Sequence, residues 1–217
     1  MRLFAVRHGA TDYSRERRFA GSRDVPLTTD GRLQAEAVAQ ALAGAGATAV
    51  YTSPLERARV SAELIAKPHR LEVLVEPDVR EMAFGGWEGI MREELPARFP
   101  REAEAWRLTP HLVTPPGGET LAGVAARVRA VLDRLVAAHA GATVILVSHA
   151  VVVRLIVLGA LGLGPERLWS VDASPGGITE IEYLGDWATV HRMNTRAHLD
   201  GLVPRVPRLG GLVERAS

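Results

Sequence analysis

The chain contains no cysteine. That absence rules out a disulfide framework, thiolate zinc sites and a cysteine-based phosphatase together. Lysine is almost missing as well. Lys67 is the only one among 26 basic residues, so a cation facing an anionic ligand must be arginine or histidine. No sign of charge dominates: the formal net charge is +1 with 24% charged residues, which gives no field directed at DNA, RNA or a membrane surface. The longest apolar stretch, Ala150 to Leu163, is interrupted by Arg154 and is too short to span a bilayer. Met1 to Val6 runs straight into polar residues without the apolar segment of a secretion signal, so a cytoplasmic protein is expected. There is no Walker-type phosphate loop and no clear cluster of metal-binding carboxylates.

What is present suits one sizeable domain. The 217 residues, 47% hydrophobic, can bury a substantial core, and no repeat or linker divides them. Strand and helix signals alternate. Leu3 to Val6 is a short apolar run that breaks at Arg7-His8-Gly9. Thr29 or Asp30 can cap a helix carrying Leu33, Ala37, Val38, Ala41 and Leu42 on one face. Ala49 to Tyr51 reads as a strand, Leu55 to Ala66 as a helix and Glu72 to Val75 as a third strand. Residues 91 to 116 are irregular and read as a small helical lid. The strongest helix runs from Glu119 to Ala138. Thr143 to Val147 has the uniform apolar character of a fully buried strand and leads into a helix from Val151 to Leu161. Ile178 to Tyr183 and Ala188 to Arg192 flank Gly185-Asp186, a hairpin signal. The pattern predicts an α/β fold, a three-layer α/β/α sandwich on a mostly parallel sheet, with residues 204–217 as a loosely held tail.

Two of these strands end in a histidine, at Val6-Arg7-His8-Gly9 and Val147-Ser148-His149-Ala150. In open α/β sheets, ligands bind beyond the carboxyl ends of strands, so both histidines point to one pocket. Further motifs occur in order. Arg7-His8-Gly9-Ala10-Thr11 is followed by Asp24-Val25-Pro26-Leu27-Thr28 with Gly31, Gln34 and Ala35, then by Thr52-Ser53-Pro54-Leu55 with Arg57-Ala58. Glu81 with Phe84-Gly85 and Trp87-Glu88-Gly89 comes next, then Pro116-Gly117-Gly118-Glu119-Thr120. Together they resemble the histidine phosphatase superfamily, which includes phosphoglycerate mutases and several metabolite phosphatases. The resemblance covers Arg2 to His198 and implies a phosphoglycerate mutase-like fold.

It also implies roles. His8 has an imidazole nitrogen that can attack phosphorus and form a phosphohistidine. Gly9, lacking a Cβ, lets the backbone approach a phosphate. Arg7 and Arg57 can grip phosphoryl oxygens with planar forks, and His149 is expected to donate to the same oxygens. Glu81 serves as general acid and then as base. Thr11, Ser14, Gly21, Ser148 and Ala150 are implied on the substrate side, with Thr11 either bonding phosphate or stabilising its loop. Arg80 and Glu88 read as ordinary charges. His139, at a helix end, reads as a dipole contact.

The activity implied is a metal-independent, cofactor-free phosphoric monoester hydrolase acting on small phosphorylated metabolites, with a homodimer left open. The alternatives are a cofactor-dependent phosphoglycerate mutase and a catalytically silent phospho-ligand binder. Family members often carry Asn where Ser14 stands and Gln where Ala20 stands, so substrate identity does not carry over. A lid bearing Phe99, Trp106, Leu108, Leu112 and Val113 beside Ala20 leads us to expect an ester with a neutral or partly hydrophobic body.

Overall fold

The computed structural model describes residues 1–202; the tail expected at 204–217 lies outside the described residues. Among the described residues six strands form one sheet: β1 (Arg2–Arg7), β2 (Ala47–Thr52), β3 (Val73–Val75), β4 (Thr143–Ser148), β5 (Ile178–Leu184) and β6 (Trp187–Thr195), in the order β3-β2-β4-β1-β5-β6. The first four are mutually parallel, whereas β5 runs antiparallel to β1 and to β6. The hairpin turn is Gly185-Asp186, where Gly185 has φ +57°.

The uniform hydrophobicity of β1 and β4 has a direct cause. Alternate side chains point to opposite faces, and both faces are covered. Leu3, Ala5, Val144 and Leu146 face one core; Phe4, Val6, Ile145 and Val147 face the other. The first core is closed by α6 (Leu121–Ala138) and α7 (Ala150–Ala160), the second by α2 (Thr29–Leu42) and α3 (Glu56–Ala66). This is the three-layer sandwich with a mostly parallel sheet. Among the described residues no helix is long and apolar enough to cross a membrane.

Two helix starts differ from expectation. Thr28 caps α2, its hydroxyl oxygen accepting the Gly31 N–H at 3.0 Å, and Thr120 caps α6 in the same way through Gly123. The lid does contain helices, α4 (Leu95–Arg98) and α5 (Pro100–Leu108). Its hydrophobic residues do not form a common wall, however. Leu108 and Leu112 are exposed, while Trp106 is buried. The Trp106 ring meets Phe84, Trp87 and Trp169 edge-on, with centroids 5.7, 5.6 and 5.5 Å away. Such contacts add about 0.5–1.5 kcal/mol each beyond area burial. Trp106 therefore holds the lid to the α6/α7 face.

The loop after β1 lies against the first turn of α2 at backbone distance. A Cβ on Gly9 would stand 2.0 Å from the Gly31 carbonyl oxygen, and one on Gly31 would stand 2.1 Å from that of Ala10. Gly9 is thus required by the close approach of the Gly31 backbone. Replacing a helical glycine by alanine ordinarily stabilises by up to about 1 kcal/mol. Here Gly31→Ala should instead cost about 1–3 kcal/mol, the range for overpacking. A urea midpoint equal to or above that of the unmodified protein would refute the close approach.

Candidate active site

Register brings the two histidines together. In the β1–β4 pair Arg7 stands opposite Ser148, so the next residues, His8 and His149, leave the sheet side by side. β2 ends at Thr52 beside Val147, which sets Ser53 next to them. The His8 N–H donates to the Ser148 carbonyl at 3.0 Å and the Gly9 N–H to Ser61 Oγ at 3.2 Å. The histidine loop is therefore held by main-chain and α3 contacts.

The proton position on His8 follows from what its partner can accept. His8 Nδ1 lies 2.7 Å from the Gly9 carbonyl oxygen, which only accepts, so Nδ1 carries the hydrogen and Nε2 keeps its lone pair. His149 Nε2 lies 2.7 Å from Ser53 Oγ, which already accepts the Leu55 N–H at 3.2 Å. That hydroxyl can donate to the nitrogen or accept from it. The two rings meet edge-on with centroids 5.1 Å apart. Burial, then the Arg57 charge, then that of Arg7, push His8 well below the usual histidine range. Burial acts likewise on His149, followed by Arg57, His8 and Arg7. Both rings are therefore neutral at physiological pH.

The arginines are anchored by main-chain carbonyls and not by carboxylates. Arg7 donates to Ala173 O at 2.7 Å; Arg57 donates to Arg23 O at 2.7 Å and Gly21 O at 2.9 Å. Among the described residues their charge is therefore not cancelled by an ion pair. Burial above all holds Arg7 down to about 10, still a cation at neutral pH. Among the described residues three buried nitrogens near His8 have no partner: Arg7 Nε, Arg57 Nε and His149 Nδ1. Glu81 is buried, its carboxylate accepting the Met82 N–H at 3.0 Å and the Val151 N–H at 3.4 Å. Arg127 positions that loop by donating to the carbonyls of Asp78, Arg80 and Glu81, while Glu119 pairs with Arg127 and accepts the Ala83 N–H.

One pocket is lined by Arg7, His8, Arg57 and Glu81, and also by Thr11, Ser14, Gly21 and Ala150. His149 is fully buried against His8 and is not on the wall itself. Ser148 is not on the wall either. Its hydroxyl donates to Val79 O at 2.7 Å because the strand pleat turns it into the core. Thr11 and Ser14 spend their hydroxyls on a capping box for α1 (Asp12–Arg15), the loop-stabilising alternative for Thr11. Gly21 contributes its carbonyl to Arg57. Glu88 is no ordinary charge: its carboxylate accepts from Ser22 and from the Phe84 N–H, tying two pocket loops together. Arg80 pairs with Asp78 and Glu119. His139 ends α6 as expected, with Tyr51 OH 3.0 Å from its Nε2.

Sequence reasoning gave no pocket role to Arg18, Arg92, Arg154 or Trp169, all of which reach the wall. Arg154 interrupts an apolar run, which was the only signal available. Among the described residues no group of three or more histidines and carboxylates could hold a metal ion.

Comparison with known proteins agrees with this architecture. A model of the histidine phosphatase superfamily (branch 1) matches residues 3–196, and the chain belongs to that superfamily. Phosphoserine phosphatase 1 of Hydrogenobacter thermophilus is 31% identical over 199 residues, covering 92% of this chain and 94% of that one. Bifunctional protein Rv2228c of Mycobacterium tuberculosis is 36% identical over 193 residues, 88% of this chain. The chain spans about half of that relative's length (53%). Among solved structures, Bacillus stearothermophilus YhfR superposes with a TM-score of 0.86 at 30% identity, covering 91% of this chain and 98% of that one.

The depressed histidines make a pH prediction with a definite sign. Unfolded histidine titrates near 6.5, so as the pH falls through that value the unfolded chain takes up protons that the folded protein excludes. Stability should therefore fall from pH 7 toward pH 5. Ring ¹⁵N shifts should show His8 and His149 still neutral at pH 6 in the folded protein. An imidazolium signal from either at that pH would contradict the assigned environment.

Proposed function

We propose that the protein is a metal-independent phosphomonoesterase that works through a phosphohistidine at His8 on small phosphorylated metabolites. The observation that carries this reading is a neutral His8 on a pocket wall that it shares with Arg7, Arg57 and Glu81, with neither arginine paired to a carboxylate among the described residues. A relative named as a phosphoserine phosphatase supports hydrolysis as the outcome.

The steps balance with this chain's own groups. The Nε2 lone pair of His8 attacks phosphorus as the ester P–O bond breaks, and the Glu81 carboxyl gives its proton to the departing oxygen. Arg7 and Arg57 share the charge on the equatorial oxygens, the term that dominates phosphoryl transfer, while His149 is packed behind the His8 ring. The resulting Glu81 carboxylate then removes a proton from water, whose oxygen attacks phosphorus while the P–N bond returns its electrons to His8. Phosphate leaves, and both residues regain their starting states. The guanidinium groups supply positive charge without a metal.

The mutase alternative asks for a lid that contributes many cations. Of the lid arginines, Arg98, Arg101 and Arg107 are exposed and only Arg92 lines the pocket, which favours hydrolysis. The test is a leaving-group series in EDTA. Glu81→Gln should slow alkyl phosphates by about a hundredfold or more, within the usual contribution of general acid catalysis, and p-nitrophenyl phosphate much less. Equal losses across the series would assign Glu81 to positioning instead, and activity that vanishes in EDTA and returns with Mg²⁺ would defeat the metal-independent mechanism.

A further inference from the structure

The Arg7 fork takes its direction from a segment without helix or strand structure. Residues 172–177 join a short helical stretch (Pro165–Ser170) to β5. They meet the histidine loop at several points. Ala173 O accepts from the Arg7 guanidinium at 2.7 Å, and Gly177 O accepts the Arg7 N–H at 3.3 Å. The Gly176 N–H donates to the Arg7 and His8 carbonyls at 3.0 and 3.2 Å, while Gly176 O accepts from His198 Nε2 at 2.9 Å. Where the Ala173 carbonyl points therefore decides where the guanidinium stands.

That carbonyl is fixed from β6, one strand farther out. Along β5 and β6 the register slips between the Ile178–Thr195 and Glu180–Arg192 pairs, a bulge that sets Met193 and Asn194 opposite the single residue Thr179. Asn194 has φ +49°, the left-handed region that asparagine enters more readily than most residues. Its N–H donates to Thr179 Oγ1 at 3.1 Å, and its amide reaches the 172–177 segment. Oδ1 accepts the Ser174 N–H at 2.8 Å; Nδ2 donates to Asp172 Oδ2 at 2.8 Å and to Ser174 Oγ at 3.2 Å. Asp172 Oδ1 in turn accepts the Ala173 N–H at 2.8 Å. Gly177 makes room for the amide, since a Cβ there would stand 2.2 Å from Asn194 Oδ1. The Ser174 N–H and the Ala173 carbonyl belong to one planar peptide unit. Asn194 holds one end of that plane and Arg7 bonds the other, so the plane cannot rotate without moving the guanidinium.

We propose that Asn194 is a positioning residue for Arg7, fixing through the Ala173–Ser174 peptide where the guanidinium meets the transferring phosphoryl group. The proposal rests on the phosphohydrolase reading of the pocket and deepens it. Asn194 is not on the pocket wall, so its effect passes through Arg7.

The test is a double-mutant cycle read in vanadate affinity, measured by calorimetry so that no turnover is needed. Vanadate resembles the phosphoryl group in its transition state. Asn194→Gly removes the amide, and glycine adopts a positive φ without penalty. It should weaken vanadate binding about tenfold or more, because a misplacement of about 1 Å at a reacting centre costs on the order of a hundredfold. Arg7→Gln should weaken it at least as much, and in the Arg7→Gln protein Asn194→Gly should then cost less than about twofold. A side chain that only stabilised the hairpin would cost the same in both backgrounds. Kinetics give a second reading. Asn194→Gly should slow alkyl and p-nitrophenyl phosphates by the same factor, since Arg7 acts on the equatorial oxygens and not on the leaving group. Asn194→Ala removes the same amide and takes its place should the glycine variant not fold. Equal losses with and without Arg7, or an affinity within about twofold of the unmodified protein, would overturn the proposal. The two readings fail separately: coupling between Asn194 and Arg7 without phosphate release from p-nitrophenyl phosphate defeats the phosphohydrolase, and hydrolysis without the coupling defeats the role of Asn194.

Discussion

A neutral imidazole and two permanently charged guanidinium groups share one desolvated space at the end of β1 and β4, and much of the remaining structure keeps that combination stable. Burial favours the neutral form of His8, and the neighbouring positive charges favour it further. The same burial works against Arg7 and Arg57, yet a guanidinium gives up its proton far above neutral pH, so they remain charged where a lysine would be closer to losing its own. An arginine-only cation set is therefore suited to such a pocket. Main-chain carbonyls of Ala173, Arg23 and Gly21 orient the forks without neutralising them. An ion pair would have cancelled the charge that a phosphate is to meet.

Keeping these groups in place depends on direct contacts between loops. Gly9 and Gly31 let the histidine loop and the start of α2 touch backbone to backbone. Glu88 ties the Phe84 loop to Ser22, next to the carbonyl that holds Arg57. Arg127 on α6 and Glu119 just before it hold the segment carrying Glu81, and Ser53 bonds His149 from the end of β2. Carboxylates recur in the supports and are nearly absent from the wall. This division keeps negative charge out of the phosphate's way.

The sheet was legible in the sequence because β1 and β4 are covered on both faces and so read as unbroken apolar runs. The convergence of His8 and His149 was legible for the same reason, since each sits two residues past such a run. Periodicity could not show which way a side chain turns in an irregular segment. The lid residues Leu108 and Leu112 read as pocket wall but face solvent, and Ser148 read as substrate-facing but bonds Val79. Partners distant in sequence were equally out of reach. Nothing near Glu88 announces Ser22, and nothing near Gly9 announces Gly31.

The central claim is that the phosphoryl group passes through His8, and the covalent intermediate tests it most directly. A substrate labelled at phosphorus, mixed with the enzyme and quenched in alkali within the first turnover, should leave label on the protein that is stable to base and lost in acid. Peptide mapping should place it on His8, and the His8→Ala protein should show neither label nor turnover. Label on another residue, or full turnover in the His8→Ala protein, would contradict the account.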